Sequence, residues 1–176
     1  MPPQEKKWVG AIESTIMRIG EYSSWIYLFI GIIVAYEVAL RYFFNNPTDW
    51  VEETSRLGMV WATFLLFPAC MARRQLIQIT LFSDAVGERA KVVLEGISFA
   101  IIALACVIVS FESLVAAIDA ATVGRATASV LRIPYWLFYL PVAIGFFLFF
   151  VQAALELILL VATGQRRKLE LAHEEI

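Results

Sequence analysis

The chain has 176 residues, 60% of them hydrophobic and 17% charged, with a formal charge of −2 at neutral pH. An ordinary soluble domain is about half apolar; here the excess is gathered into blocks of membrane-crossing length, which excludes water as the solvent for most of the surface. The nearly balanced charge, with basic residues at block edges rather than in a stripe, excludes a nucleic-acid partner.

Residues 6–21 place Trp8, Ile12, Ile16 and Ile19 at helical spacing, with Lys7, Glu13, Arg18 and Glu21 largely on other faces. That pattern predicts either an interfacial helix or a leader that becomes helical only near Ser23. Glu5, Lys6, Lys7, Glu13, Arg18 and Glu21 interrupt any apolar core there, so a cleavable signal peptide is not expected. Residues 1–22 therefore read as a cytoplasmic or interfacial segment.

Residues 23–164 read as a membrane domain of four spans. The first, about 24–44, is long enough at ~1.5 Å per residue to cross a hydrocarbon core of ~30 Å. The second, about 57–72, lies between Arg56 and the pair Arg73 and Arg74, and is short enough to need snorkelling or helical extension at its ends. The third, about 92–111, has Glu95 and Glu112 near its ends. The fourth, about 134–163, exceeds a perpendicular crossing and must tilt or project. Pro134 suits its start, where Tyr135, Trp136 and Tyr139 supply an aromatic belt. Pro68 and Pro141 fall inside apolar blocks, where neighbouring helices must satisfy the carbonyls they free. Residues 165–176 form a charged tail.

Ten of the 14 Lys and Arg residues flank the termini and the central connection, and four lie in the other two loops. By the positive-inside rule both termini are cytoplasmic, and loops 45–55 and 118–133 face outward. The expected class is thus an all-α integral membrane protein with four transmembrane helices and both termini in the cytoplasm.

Few residues offer chemistry. Glu37 and Arg41 stand one turn apart in the order that favours an ion pair. Intramembrane charges read as functional by default, yet Arg41 can also reach the outer interface and hold Glu37 with it. Glu156, one turn after Gln152, reads as the point where the fourth helix leaves the cytoplasmic interface. In loop 45–53, Thr48 or Asp49 can cap the next helix while Asp49, Glu52 and Glu53 complement its dipole, and Trp50 reads as an interface anchor. Cys70 and Cys106 sit in apolar blocks and read as packing residues. The only histidine, His173, lies in the tail, so histidine-based catalysis, metal binding and haem ligation have no candidates. Neither an enzyme nor a cofactor is expected.

The order of features resembles the small membrane subunit, the DctQ-like or Q subunit, of tripartite ATP-independent periplasmic (TRAP) transporters. The resemblance rests on Arg41-Tyr-Phe-Phe-Asn45, Trp50-Val-Glu-Glu53, Trp61, Arg73, Ile77-Gln-Ile-Thr-Leu-Phe82, Leu131-Arg-Ile-Pro134 with Tyr135-Trp136, and Leu140-Pro-Val-Ala-Ile-Gly145. It implies a bacterial inner-membrane subunit that packs, with membrane lipid, against a large subunit holding the substrate and sodium sites. A periplasmic substrate-binding protein would deliver an organic acid, commonly a carboxylate. On this reading Arg41, Trp50, Glu52, Glu53 and Arg56 organise the outer end and its contacts, Arg73 and Arg74 anchor span two at the cytoplasmic interface, and Glu37, Asn45, Trp61 and Pro134 are further structural or interface candidates. The alternative is an autonomous four-span exporter using Glu37 as its proton or cation site, although Arg41 as a partner would suppress the proton affinity that such a site needs.

Overall fold

Long apolar runs broken by short polar connections fold as four helices. The computed structural model describes residues 3–46, 48–72 and 88–163. These form α1 (Pro3–Phe43), α2 (Trp50–Ala72), α3 (Glu88–Val123) and α4 (Trp136–Thr163). Each is long and apolar enough to cross a membrane. Among the described residues there is no strand, only an isolated bridge between Ala126 and Pro134. The expected all-α, four-span architecture is the one observed.

The helices exceed the apolar runs. α1 has 41 residues, or about 62 Å of rise, roughly twice a bilayer's hydrocarbon thickness. The stretch 6–21, which reads either as an interfacial helix or as a leader helical only near Ser23, is helical throughout and continuous with the first span. α2 starts at Trp50 and gains the turns that the short second span needs. α3 continues to Val123 because Ser110, Glu112 and Ser113 lower the hydropathy without breaking a helix, and the alanines after them favour one. Arg73, Arg74, the 77–82 motif and the charged tail lie outside the described residues.

The helices stand in a row, α1–α2–α4–α3, with α1 only grazing α4. α1 runs antiparallel to α2, and α3 to α4, while α2 and α4 run side by side in the same direction. All four ends meeting at the 44–49 and 124–135 connections thus lie together, and the N-terminus of α1 and C-terminus of α4 share the opposite end. The central seam contains Met71, Ala103 and Ala153, with Phe99, Ile102, Phe149 and Phe150 around them.

Small residues set the spacing. A Cβ on Gly20 would strike that of Ala69, and one on Gly145 would strike the Phe64 carbonyl. Without a hydrophobic force between helices in lipid, such close approach supplies the packing energy. The carbonyl that meets Gly145 is the one that Pro68, four residues on, leaves without an amide donor. Pro141 does the same to Leu137, and there the Trp61 indole N–H donates to the freed carbonyl at 3.1 Å. The neighbouring helix thus supplies a donor to the carbonyl that Pro141 frees, whereas the one that Pro68 frees is met by the close backbone approach at Gly145.

Candidate functional site

The connection between α1 and α2 is built around Glu37. Its carboxylate accepts the Thr48 backbone N–H at 3.1 and 3.2 Å, and the Thr48 hydroxyl as well. The expected Glu37–Arg41 ion pair is not formed. A carboxylate nearly two turns inside the helix end is met by a loop amide that curls back over it, and Arg41 is exposed. Asn45 takes φ +50°, the left-handed conformation that Asn tolerates. It turns the chain so that the Asn46 N–H returns to the Leu40 carbonyl at 3.3 Å.

This latch changes the helix start that follows. Thr48 is occupied by Glu37 and Asp49 is exposed, so neither side chain caps α2 with a hydrogen bond. The dipole is met by Glu52 and Glu53 in the first turn. Arg56 pairs with Glu52 at 2.7 Å, both side chains mostly in solvent. Trp50 is exposed at the helix start, and Val51 and Ser55 are buried beneath it. Glu53 has one buried carboxylate oxygen without a hydrogen bond.

The second connection at this end, 124–135, is closed by its own bonds. Gly124, at φ +70°, ends α3, and the Arg125 N–H bonds the Ala120 carbonyl in the 6→1 pattern of a Schellman cap. The Thr127 N–H donates to Ile133, the Tyr135 N–H to Arg125, and the Thr127 hydroxyl accepts the Ile133 N–H at 2.9 Å. Arg125 pairs with Asp119 at 3.1 Å. Pro134 lies two residues before α4, and its carbonyl accepts the Leu137 N–H.

Inside the spans, several serine and threonine hydroxyls bond back to their own helix, and three side-chain bonds join helices. Besides Trp61 to Leu137, the Tyr27 and Thr63 hydroxyls bond at 2.5 Å, and the Ser110 hydroxyl donates to the Ala143 carbonyl at 2.9 Å. Gln152 is wholly buried, with neither amide atom bonded among the described residues. Glu156 is also buried, so it lies within the helix packing rather than at an exposed exit. No cluster that could hold a metal ion occurs among the described residues.

Sequence reasoning missed Thr48 as the partner of Glu37 and Ser110 as a helix-joining donor. Neither carries a local signal, because each bond spans a connection or a helix pair. The sites that the structure brings together at one end are Glu37, Arg41, Asn45, Trp50, Glu52, Glu53 and Arg56, with Pro134 on the adjacent connection. Trp61 stands apart, in the α2–α4 seam. The two outer helices leave broad apolar faces open: Trp25, Phe29 and Ile32 on α1, and Ile101, Leu104 and Ile108 on α3, are all more than half exposed.

Comparison with protein families gives one match across residues 30–163, to the model described as Tripartite ATP-independent periplasmic transporters, DctQ component. Comparisons with curated proteins and with solved structures give no match.

Proposed function

The chain belongs to the DctQ component family of TRAP transporters, and from that membership we propose that it is the stationary membrane partner of a sodium-coupled, binding-protein-dependent carrier of organic acids. It is a transporter component and a multi-pass membrane protein, not an enzyme. In this reading it lies in the bacterial inner membrane with both termini in the cytoplasm. It packs against the large subunit, which holds the substrate and sodium sites, and a periplasmic binding protein presents the carboxylate.

The observation that carries this reading is the contrast between the two kinds of surface. Three side-chain hydrogen bonds tie α1 to α2, α2 to α4 and α3 to α4, whereas the open faces of α1 and α3 are apolar. A scaffold needs rigid helix pairs and a face to offer, and the row of four provides two such faces. The latch at Glu37 and the closed connection 124–135 would give the periplasmic end a fixed shape on which Arg41, Trp50, Glu52, Glu53 and Arg56 are displayed. Arg73 and Arg74 would anchor the cytoplasmic end of span two.

The autonomous-exporter reading requires Glu37 to exchange protons or cations, and its carboxylate is instead engaged by the Thr48 amide and hydroxyl. The test is purification of this chain with its large subunit, followed by sodium-driven uptake in liposomes. Uptake that needs both membrane chains and the binding protein supports the scaffold. Uptake by this chain alone that Glu37→Gln abolishes supports the exporter.

A further inference from the structure

α3 repeats with a period of seven on two faces at once. Gly96, Ala103, Ser110 and Ala117 recur on the face turned to α4, where Ala103 and Ala117 are buried and Ser110 bonds Ala143. On the opposite face Leu94, Ile101, Ile108 and Val115 recur at the same interval, and Ile97, Leu104, Phe111 and Ile118 follow each by three residues. All eight of these apolar positions are exposed. The 3–4 alternation is the a/d pattern of a helix seam, and a strict seven-residue period keeps such a seam in register with a supercoiled neighbour.

Lipid alone would accept an apolar face, but it does not accept Glu112. This residue flanks the seam beside Ile108, Phe111 and Val115, is exposed, and has no hydrogen-bond or ion-pair partner among the described residues. Its level follows from the Ser110–Ala143 bond: Ala143 is seven residues inside the start of α4 at Trp136, so Glu112 lies about 7 Å inward of that aromatic end at ~1.5 Å per residue. A carboxylate at such a level is costly unless paired. The neighbouring acid on the same edge, Asp119, already has Arg125.

We propose that the seam of α3 over residues 94–118 receives one transmembrane helix of the large subunit, and that this helix carries a lysine or arginine facing Glu112. The proposal rests on the scaffold reading and adds the face and the charge to it. Charge complementarity selects the occupant. A parallel second copy of α3 would set Glu112 against Val107 or Leu114, which flank the seam's other edge, and would leave the carboxylate unpaired. The comparable face of α1, with Trp25, Phe29 and Ile32, has its charged residues, Arg18 and Glu21, only toward the N-terminal side of Trp25, away from the aromatic end that Glu112 lies near.

The test is site-specific photocrosslinking in cells that make this chain together with its large subunit. Benzoylphenylalanine replaces Leu104 or Ile108 on α3, and Phe29 or Ile32 on α1. The expected result is a covalent adduct of the two membrane subunits from the α3 positions, reduced roughly tenfold by Glu112→Lys and less by Glu112→Gln. Glu112→Lys is expected to leave the melting temperature of the isolated chain in detergent unchanged, and reversing the facing cation on the large subunit is expected to restore the adduct. Adducts from α1 alone would overturn the proposal and leave the scaffold reading standing, as would adducts only with lipid or a second copy at the α3 positions while the subunits still co-purify. Should Glu112→Lys unfold the chain, an undiminished adduct with Glu112→Ala overturns the ion pair and a diminished one upholds it. Failure of the subunits to co-purify at all would overturn the scaffold reading itself.

Discussion

Trp61 on α2 donates its indole N–H to the carbonyl of Leu137 on α4, the one carbonyl that Pro141 strips of its helical donor. The bond explains how a proline can stand in the middle of an apolar helix, and why a tryptophan faces it. Trp61→Phe is expected to cost about 0.6–1.7 kcal/mol, the range for hydrogen bonds between transmembrane helices. In a Pro141→Ala background, where an amide again reaches Leu137, the same substitution is expected to cost less. Thermal unfolding of the four proteins of this cycle in detergent measures the difference; equal costs in both backgrounds would remove the proposed coupling.

The second crossing point of α2 and α4 is steric. Gly145→Ala would drive a methyl group into the Phe64 carbonyl, and a loss of about 1–3 kcal/mol is expected from overpacking a site with no room to yield. Gly31→Ala on α1, which has nothing within 4 Å of the new Cβ, is the control. It is expected to leave stability unchanged or raise it slightly.

Glu37 and Thr48 predict a mechanical phenotype. Glu37→Ala removes the acceptor for both the Thr48 amide and its hydroxyl, so protease cleavage in the 44–49 connection is expected to accelerate. Thr48→Val keeps the amide bond and is expected to show a smaller change. Glu37→Gln retains an acceptor oxygen and is expected to keep transport by the assembled system, which the exporter reading does not allow.

The exposed pair Arg56–Glu52 should contribute at most about 0.5 kcal/mol, so Arg56→Ala is expected to leave the melting temperature of the chain nearly unchanged. A fall in uptake at low binding-protein concentration, relieved at high concentration, would then report a docking role for this end. Unchanged uptake at every concentration would assign Arg56 to the helix surface alone.

How far these features could be read from the sequence depends on their range. Hydropathy located four spans because the cost of exposing polar groups to lipid is written locally. The prolines announced a need for donors on neighbouring helices, and Asn45 stood where a left-handed turn ends a helix. Glu37 was misleading, since Arg41 at i+4 offered a partner by spacing while the true one arrives from beyond the turn. The length of α1 and the extension of α3 to Val123 were hidden because charged residues lower the hydropathy of a stretch without ending a helix. Gly145 was visible as a glycine, but its contact with the Phe64 carbonyl depends on how α2 and α4 align.

The most direct test of the central claim is sodium-driven uptake of an organic acid into liposomes holding this chain, the large subunit, or both, with the binding protein outside. The scaffold account predicts uptake only when both membrane chains are present, and its persistence with Glu37→Gln. Uptake by this chain alone, lost with Glu37→Gln, would contradict the account.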